Sequence, residues 1–139
     1  MLRIFLIIFF VSNVFAQRVV GYYPYWMQGS FQPNDLDLET FTHINHAFAW
    51  PNEQGDIIAP TGMLDSYIAD YIHSNNRKII LSLGGWGTAQ TAGFVSSTST
   101  FELRSQFITN IIDKMITYGY DGVDIDWEHP QSITQKNNL

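Results

Sequence analysis

The sequence predicts an α/β fold: the N-terminal half of a TIM-type (β/α)8 barrel, truncated after its fourth strand. Three observations carry this. Four short β-rich runs are centred near residues 21, 46, 81 and 124. Helical patterns lie between the later ones, and strand alternating with helix implies parallel strands joined by right-handed crossovers. The fourth run carries acids on one face only, which an open sheet covered by helices on both sides would not tolerate.

The first sixteen residues precede this alternation. Met1-Leu2-Arg3 is a positive start, Ile4 to Val11 is an apolar run, and Val14 and Ala16 are the small residues at −3 and −1 of a cleavage site. These are the three parts of a secretory signal peptide. The apolar run is far short of the roughly 20 residues a bilayer-spanning helix needs. The domain expectation is therefore a leader at 1–16 and a catalytic-domain portion at 17–139. The protein is expected outside the cell, with no membrane attachment after cleavage.

The chain carries 7 Lys and Arg against 13 Asp and Glu, a net charge of −6. Loss of Arg3 with the leader makes the balance one unit more acidic. Without a Lys/Arg cluster, a nucleic-acid partner is not expected. There is no cysteine, so stability rests on an ordinary hydrophobic core and not on disulfides.

The first strand is read as Arg18-Val-Val-Gly-Tyr-Tyr23 and the second as His43-Ile-Asn-His-Ala-Phe-Ala49. The crossover between them, Asn34 to Thr40, is weakly patterned and predicts only a short helix. Leu64, Tyr67, Ile68, Tyr71 and Ile72 keep the i, i+3, i+4, i+7, i+8 spacing of one apolar stripe, which predicts a helix before the third strand, Lys78-Ile-Ile-Leu-Ser-Leu83. A second helix shows Phe107, Ile108, Ile111, Ile112 and Met115 on one face. Ser99 with Glu102 reads as its capping box and Gly119 as its C-terminal stop.

The fourth strand decides the architecture. In Asp121-Gly-Val-Asp-Ile-Asp-Trp-Glu128, Asp124, Asp126 and Glu128 are two apart and point to one face, while Val123, Ile125 and Trp127 point to the other, towards covering helices. A barrel interior opens into a pocket at the C-terminal ends of its strands, so Glu128 sits at the mouth and Asp124 deeper. Carboxyl groups at this spacing couple, and crowded acids cannot all ionise near neutral pH. A shared proton, with Glu128 held protonated as a general acid, is the expected result. A calcium loop would need Gly at its sixth position and turn-forming residues between ligands. This sequence has His129 there, with Ile125 and Trp127 between the acids, so no metal site is expected.

Asp121 to Glu128 resembles the D-G-x-D-x-D-x-E signature of family-18 glycoside hydrolases, the chitinases and their relatives. Ser82-Leu-Gly-Gly85, followed by Trp86, resembles the S-x-G-G motif of that family's third strand. Gly21-Tyr22-Tyr23 and Thr42 to Ala49 resemble its first and second strands. The likeness runs from about Arg18 to Pro130. It implies hydrolysis of chitin, or of chitin oligosaccharides, without cofactor, by a retaining mechanism in which the substrate assists. Glu128 would protonate the glycosidic oxygen, Asp126 would hold the acetamido N–H, and Asp124 would share a proton deeper in the barrel, beside Ser82 and Tyr22. Trp86 resembles the platform on the leaving-group side, Trp26 would stack a sugar on the opposite arm, and Phe48 would line the central subsite. Gly84, Gly85 and Asp121 enter as supporting residues of the two motifs. Trp50 has no assigned role, and His43 and His46 read as core or supporting side chains.

The same resemblance implies a monomer when the barrel is complete. A complete barrel takes about 250 residues, so this stretch alone is expected to be inactive. Three alternatives remain: a relative that cuts the chitobiose core of N-glycans, a lectin-like barrel that binds chitin without cutting it, and an inactive fragment. Lectin-like relatives characteristically lack the acid, whereas Glu128 is present.

Overall fold

A computed structural model describes residues 17–139; the leader expected at 1–16 lies outside the described residues. Four parallel strands form the sheet: β1 (Val20–Pro24), β2 (His43–Pro51), β4 (Lys78–Trp86) and β5 (Gly122–Glu128). Their spatial order, β1-β2-β4-β5, follows the chain without reversal. That removes the doubly wound alternative, which requires a reversal of strand order. A two-residue strand, β3 (Ile57–Ile58), folds back antiparallel on the end of β2.

The sheet has one apolar and one polar face. Tyr23, Ile44, Ile79, Leu81 and Leu83 are buried against the helices, packed with Ile68, Ala69 and Ile72 of α1 (Ser66–Ser74), Phe94 of α2 (Thr88–Ser97), and Phe107 and Ile111 of α3 (Phe101–Tyr118). Full burial of such side chains stabilises by about 1.5–3 kcal/mol each, and this layer is the core. Trp127 belongs to it, stacked on Phe94 with ring centroids 5.3 Å apart. The other face carries Tyr22, Asn45, Ser82 and Asp124, joined by hydrogen bonds.

Several local expectations are met and several shift. Gly119 ends α3 in the left-handed region at φ 78°, a conformation that costs glycine nothing. The N-cap of α3 is Thr100, whose hydroxyl accepts from the Leu103 N–H at 3.2 Å; the expected cap, Ser99, instead donates to the Ser96 carbonyl. Helix α1 starts at Ser66 behind the Asp65 cap, so Leu64 precedes it, and Tyr67 faces solvent. The first crossover holds no α-helix, only two 3-10 turns at Tyr25–Met27 and Pro33–Asp35. Helix α2, which has little apolar periodicity, escaped the sequence reading. On α3 and β5, Ile108, Ile112, Val123 and Ile125 remain exposed among the described residues. Helix α3 covers only one flank of β5, and the short α4 (Ile133–Asn138) does not cover the rest.

Asp121 lies at the N-terminal end of β5, remote from the mouth of the acidic row. Its carboxylate accepts from Lys78 Nζ at 2.6 Å, from the Ile79 N–H at 2.9 Å, and pairs with His73 Nε2 at 2.8 Å. It thereby ties α1, β4 and β5 together and sets where β5 begins. Burial pushes this carboxyl up, but the bonds from Lys78, His73 and Ile79 outweigh it, and its pKa lies below the ordinary value. A depressed folded-state pKa gives stability that is present above the unfolded value, about 3.9, and lost as pH falls through the folded one. Asp121→Asn in the full-length protein is therefore expected to destabilise by about 1–2 kcal/mol at pH 7. Exposure of Lys78 keeps the ion pair's share small. The gap to the parent should narrow as pH falls below the unfolded value and through the lowered folded one. Thermal melting at pH 7 and across pH 2.5–5 checks this; a constant gap would mean the carboxylate's charge is irrelevant.

Candidate active site

Register places the acids opposite the glycine-rich strand end: Ser82 pairs with Asp124, Gly84 with Asp126 and Trp86 with Glu128. Asp124 is the anchored member. One of its oxygens, Oδ2, accepts from Ser82 Oγ at 2.7 Å, Tyr22 Oη at 2.8 Å and Asn45 Nδ2 at 3.1 Å. Side chains from β1, β2 and β4 thus converge on one carboxylate of β5. The Tyr22 hydroxyl is held to its proton more firmly than usual, first by burial, and then by the hydrogen bond and charge of Asp124, with Asn45 opposing.

Asp126 is different. Among the described residues no hydrogen bond holds its carboxyl, which leaves it free to turn. Its pKa is raised, first by burial and then by the negative charges of Glu128 and Asp124, with His129 pulling the other way. The crowding read from the sequence is therefore felt at Asp126, the middle acid of the row. Glu128 stands at the mouth. Its backbone carbonyl accepts from Thr91 Oγ1 at 3.1 Å, which fastens the strand end to α2.

The S-x-G-G stretch has a steric reason. Gly84 adopts φ 131°, and a Cβ there would lie 2.0 Å from the Asp126 carbonyl oxygen; Gly85 adopts φ 77°, and its Cβ would meet the Phe48 ring at 2.9 Å. Only glycine combines those angles with that closeness. The pair lets β4 pass tightly beneath β5 and leaves room for the Phe48 ring.

Phe48 owes its place to an irregularity in β2. Ala47 pairs with Ser82 and Ala49 with Leu83, so Phe48 is an extra residue in a bulge that re-aims its side chain. The ring lies 6.0 Å from Tyr22 and 6.3 Å from Trp26. Phe48 and Trp26 border a groove of about 440 Å3 whose walls also include Trp50, Gly85, Trp86 and Glu128. Trp86 is 81% exposed and Trp26 58%, an uncommon state for indoles unless their faces are there to be covered. All three aromatic candidates therefore meet at one groove with Glu128.

Sequence reasoning missed Asn45, Thr91 and Trp50. The parity of β2 was the signal for Asn45, but a regular strand with Phe48 facing the pocket puts His46 there as well. The bulge breaks that parity. His46 is buried on the helix-facing side, stacked on Tyr23 at 5.7 Å. The Gln28 amide lies 2.7 Å from its Nε2 and Tyr120 Oη 2.7 Å from its Nδ1. Burial pulls its pKa down to about 4, so it is neutral at ordinary pH and serves the core. Among the described residues, no three His, Cys, Asp or Glu side chains are arranged to hold a metal ion.

Residues 18–139 match the sequence model of the family described as Glycosyl hydrolases family 18. A class V chitinase of Arabidopsis thaliana is 33% identical over 130 residues, covering 89% of this chain and 34% of that protein. A chitinase-like effector of Moniliophthora roreri is 30% identical over 122 residues, covering 86% and 29%. Among solved structures, a GH18 chitinase from Cycas revoluta in complex with (GlcNAc)3 superposes with a TM-score of 0.74 at 27% identity, covering 86% of this chain and 36% of that one. The chain thus spans about a third of the length of these relatives, and its parallel α/β sheet is similar to that of the solved chitinase. With its acidic row, its glycine pair and this match in hand, the chain belongs to family 18 of the glycosyl hydrolases.

Proposed function

We propose that the full-length protein is an exported glycosidase that hydrolyses β-1,4-linked N-acetylglucosamine polymer, chitin, with retention of configuration. The described strands form the first half of its (β/α)8 barrel. The observation that carries this reading is the unequal treatment of three aligned carboxyls: Asp124 is locked by three donors, Asp126 is unlocked with raised proton affinity, and Glu128 stands at an aromatic groove.

In the proposed reaction Glu128 gives its proton to the glycosidic oxygen as the bond from that oxygen to C1 breaks. The carbonyl oxygen of the substrate's own acetamido group attacks C1 and forms an oxazolinium ion. Asp126 turns to the acetamido N–H and offsets the positive charge that develops there, a stabilisation that a partly desolvated carboxyl delivers better than an exposed one. Water then adds to C1 as the bond from C1 to the acetamido oxygen breaks, which restores the acetamido group, and the proton the water loses returns to Glu128. Asp124 supports the row from below. Trp86 stacks the leaving-group sugar, and Trp26 and Phe48 hold the units on the other side.

Incubation of the full-length protein with chitin pentaose, followed by proton NMR of the fresh products, tests this. Early release of the β-anomer is expected. Binding without cleavage would favour the lectin-like reading.

A further inference from the structure

Beside Glu128 stands a side chain that this reaction does not use. His129 closes β5, and its Nε2 lies 3.9 Å from Glu128 Oε2. That is too long for a hydrogen bond but well within the reach of a charge. The imidazole is 68% exposed, and its ring stands edge-on to Trp86 with centroids 6.2 Å apart. With Trp86, Thr91, Gln131 and Glu128 it borders a second hollow of about 420 Å3, which shares Trp86 and Glu128 with the aromatic groove. The titratable groups facing it are Glu128 and Asp126 of β5, the strand it follows. Strand β4 presents Trp86 to this hollow and α2 presents Thr91 and Ala92, none of which titrates.

We propose that His129 is a positioning residue for Glu128, and that its charge sets the pH at which the acid fails. The proposal rests on the glycosidase reading above. Histidine is the side chain whose charge ordinarily changes between pH 5 and 8. An imidazolium 3.9 Å away favours the ionised form of Glu128 and so opposes the protonated form that turnover requires. A neutral imidazole at the same place does not. The same positive charge acts on Asp126, pulling down a carboxyl that its other neighbours push up. Because the imidazole is largely in water, the interaction is a high-dielectric one that salt screens.

The experiment is the pH dependence of kcat/KM on a soluble chitin oligomer, for the full-length parent, His129→Phe and His129→Gln. Phenylalanine keeps a ring against Trp86 and glutamine keeps a polar side chain; both lose the charge. The alkaline limb is expected to move to higher pH by about half to one unit in both variants, and the difference should shrink in molar salt. Unmoved limbs in both would overturn the proposal. A shift in only one of them would also overturn it, because shape and not charge would then be responsible. Failure of the parent to turn over at any pH would overturn the glycosidase reading and this inference with it, whereas turnover with unmoved limbs removes this inference alone.

Discussion

Glu128→Gln in the full-length protein is expected to lower kcat on a soluble chitin oligomer by about 10²–10⁴-fold, the usual worth of a positioned general acid. Oligomer affinity should stay within a few-fold of the parent. The glutamine has nearly the same shape, and the rings bordering the groove, Trp26, Phe48 and Trp86, are untouched. What disappears is the proton that the leaving oxygen needs. Quenching of tryptophan fluorescence measures the binding, and product release measures turnover. Turnover within a few-fold of the parent would remove Glu128 from the acid's role. Loss of binding would instead give it a part in holding the ground state.

Asp126→Asn is expected to cost about as much, again about 10²–10⁴-fold, and more than Asp124→Asn. The structure supplies the reason for the ranking. Asp126 is the next same-face neighbour of Glu128, has no hydrogen bond to hold it among the described residues, and is raised in pKa by burial and by both flanking acids. In the proposed reaction it turns to the substrate's acetamido group and exchanges a proton with the acid. Asp124 is two steps away and is committed to Tyr22, Asn45 and Ser82 through a single oxygen. An asparagine at 124 can still accept those bonds through its amide oxygen, but it removes a negative charge that helps raise Asp126. Asp124→Asn should therefore shift the pH profile more than it lowers the maximal rate. The sign follows: with that charge gone, Asp126 releases its proton more readily, and the limb it governs moves to lower pH. Measuring kcat against pH for both variants decides the matter. A larger loss in Asp124→Asn at every pH would reverse the roles along the row.

Much of the site is legible from spacing alone because a β-strand has a period of two. Asp124, Asp126 and Glu128 have to share a face, and Trp127 has to lie on the other, whatever the rest of the chain does. The left-handed stop at Gly119 is legible for the same kind of reason, since the required backbone angles are local. Local rules failed where a neighbour intervened. The bulge at Phe48 depends on the pairing of β2 with β4, so the sequence of β2 alone does not tell that Asn45 and Phe48 both reach the polar face while His46 stays in the core. The cap of α3 falls on Thr100 and not Ser99 because the preceding helix α2, invisible in the apolar periodicity, runs to Ser97 and takes the Ser99 hydroxyl into its own last turn.

The sequence by itself determined the alternation of strands and helices, the single acidic face on the last strand, and the residue types able to do acid chemistry there. Those properties are periodic or local, so one stretch of chain suffices to express them. Only the tertiary structure decided which carboxyl is locked and which is free. The three donors on Asp124 come from positions 22, 45 and 82, and nothing in the strand that carries the acids says that they will meet. It likewise decided that Asp121, within the same motif, serves as a staple at the far end of β5. Hydrogen bonds and desolvation act between groups distant in sequence, so their distribution among chemically identical side chains is settled only when the chain has folded.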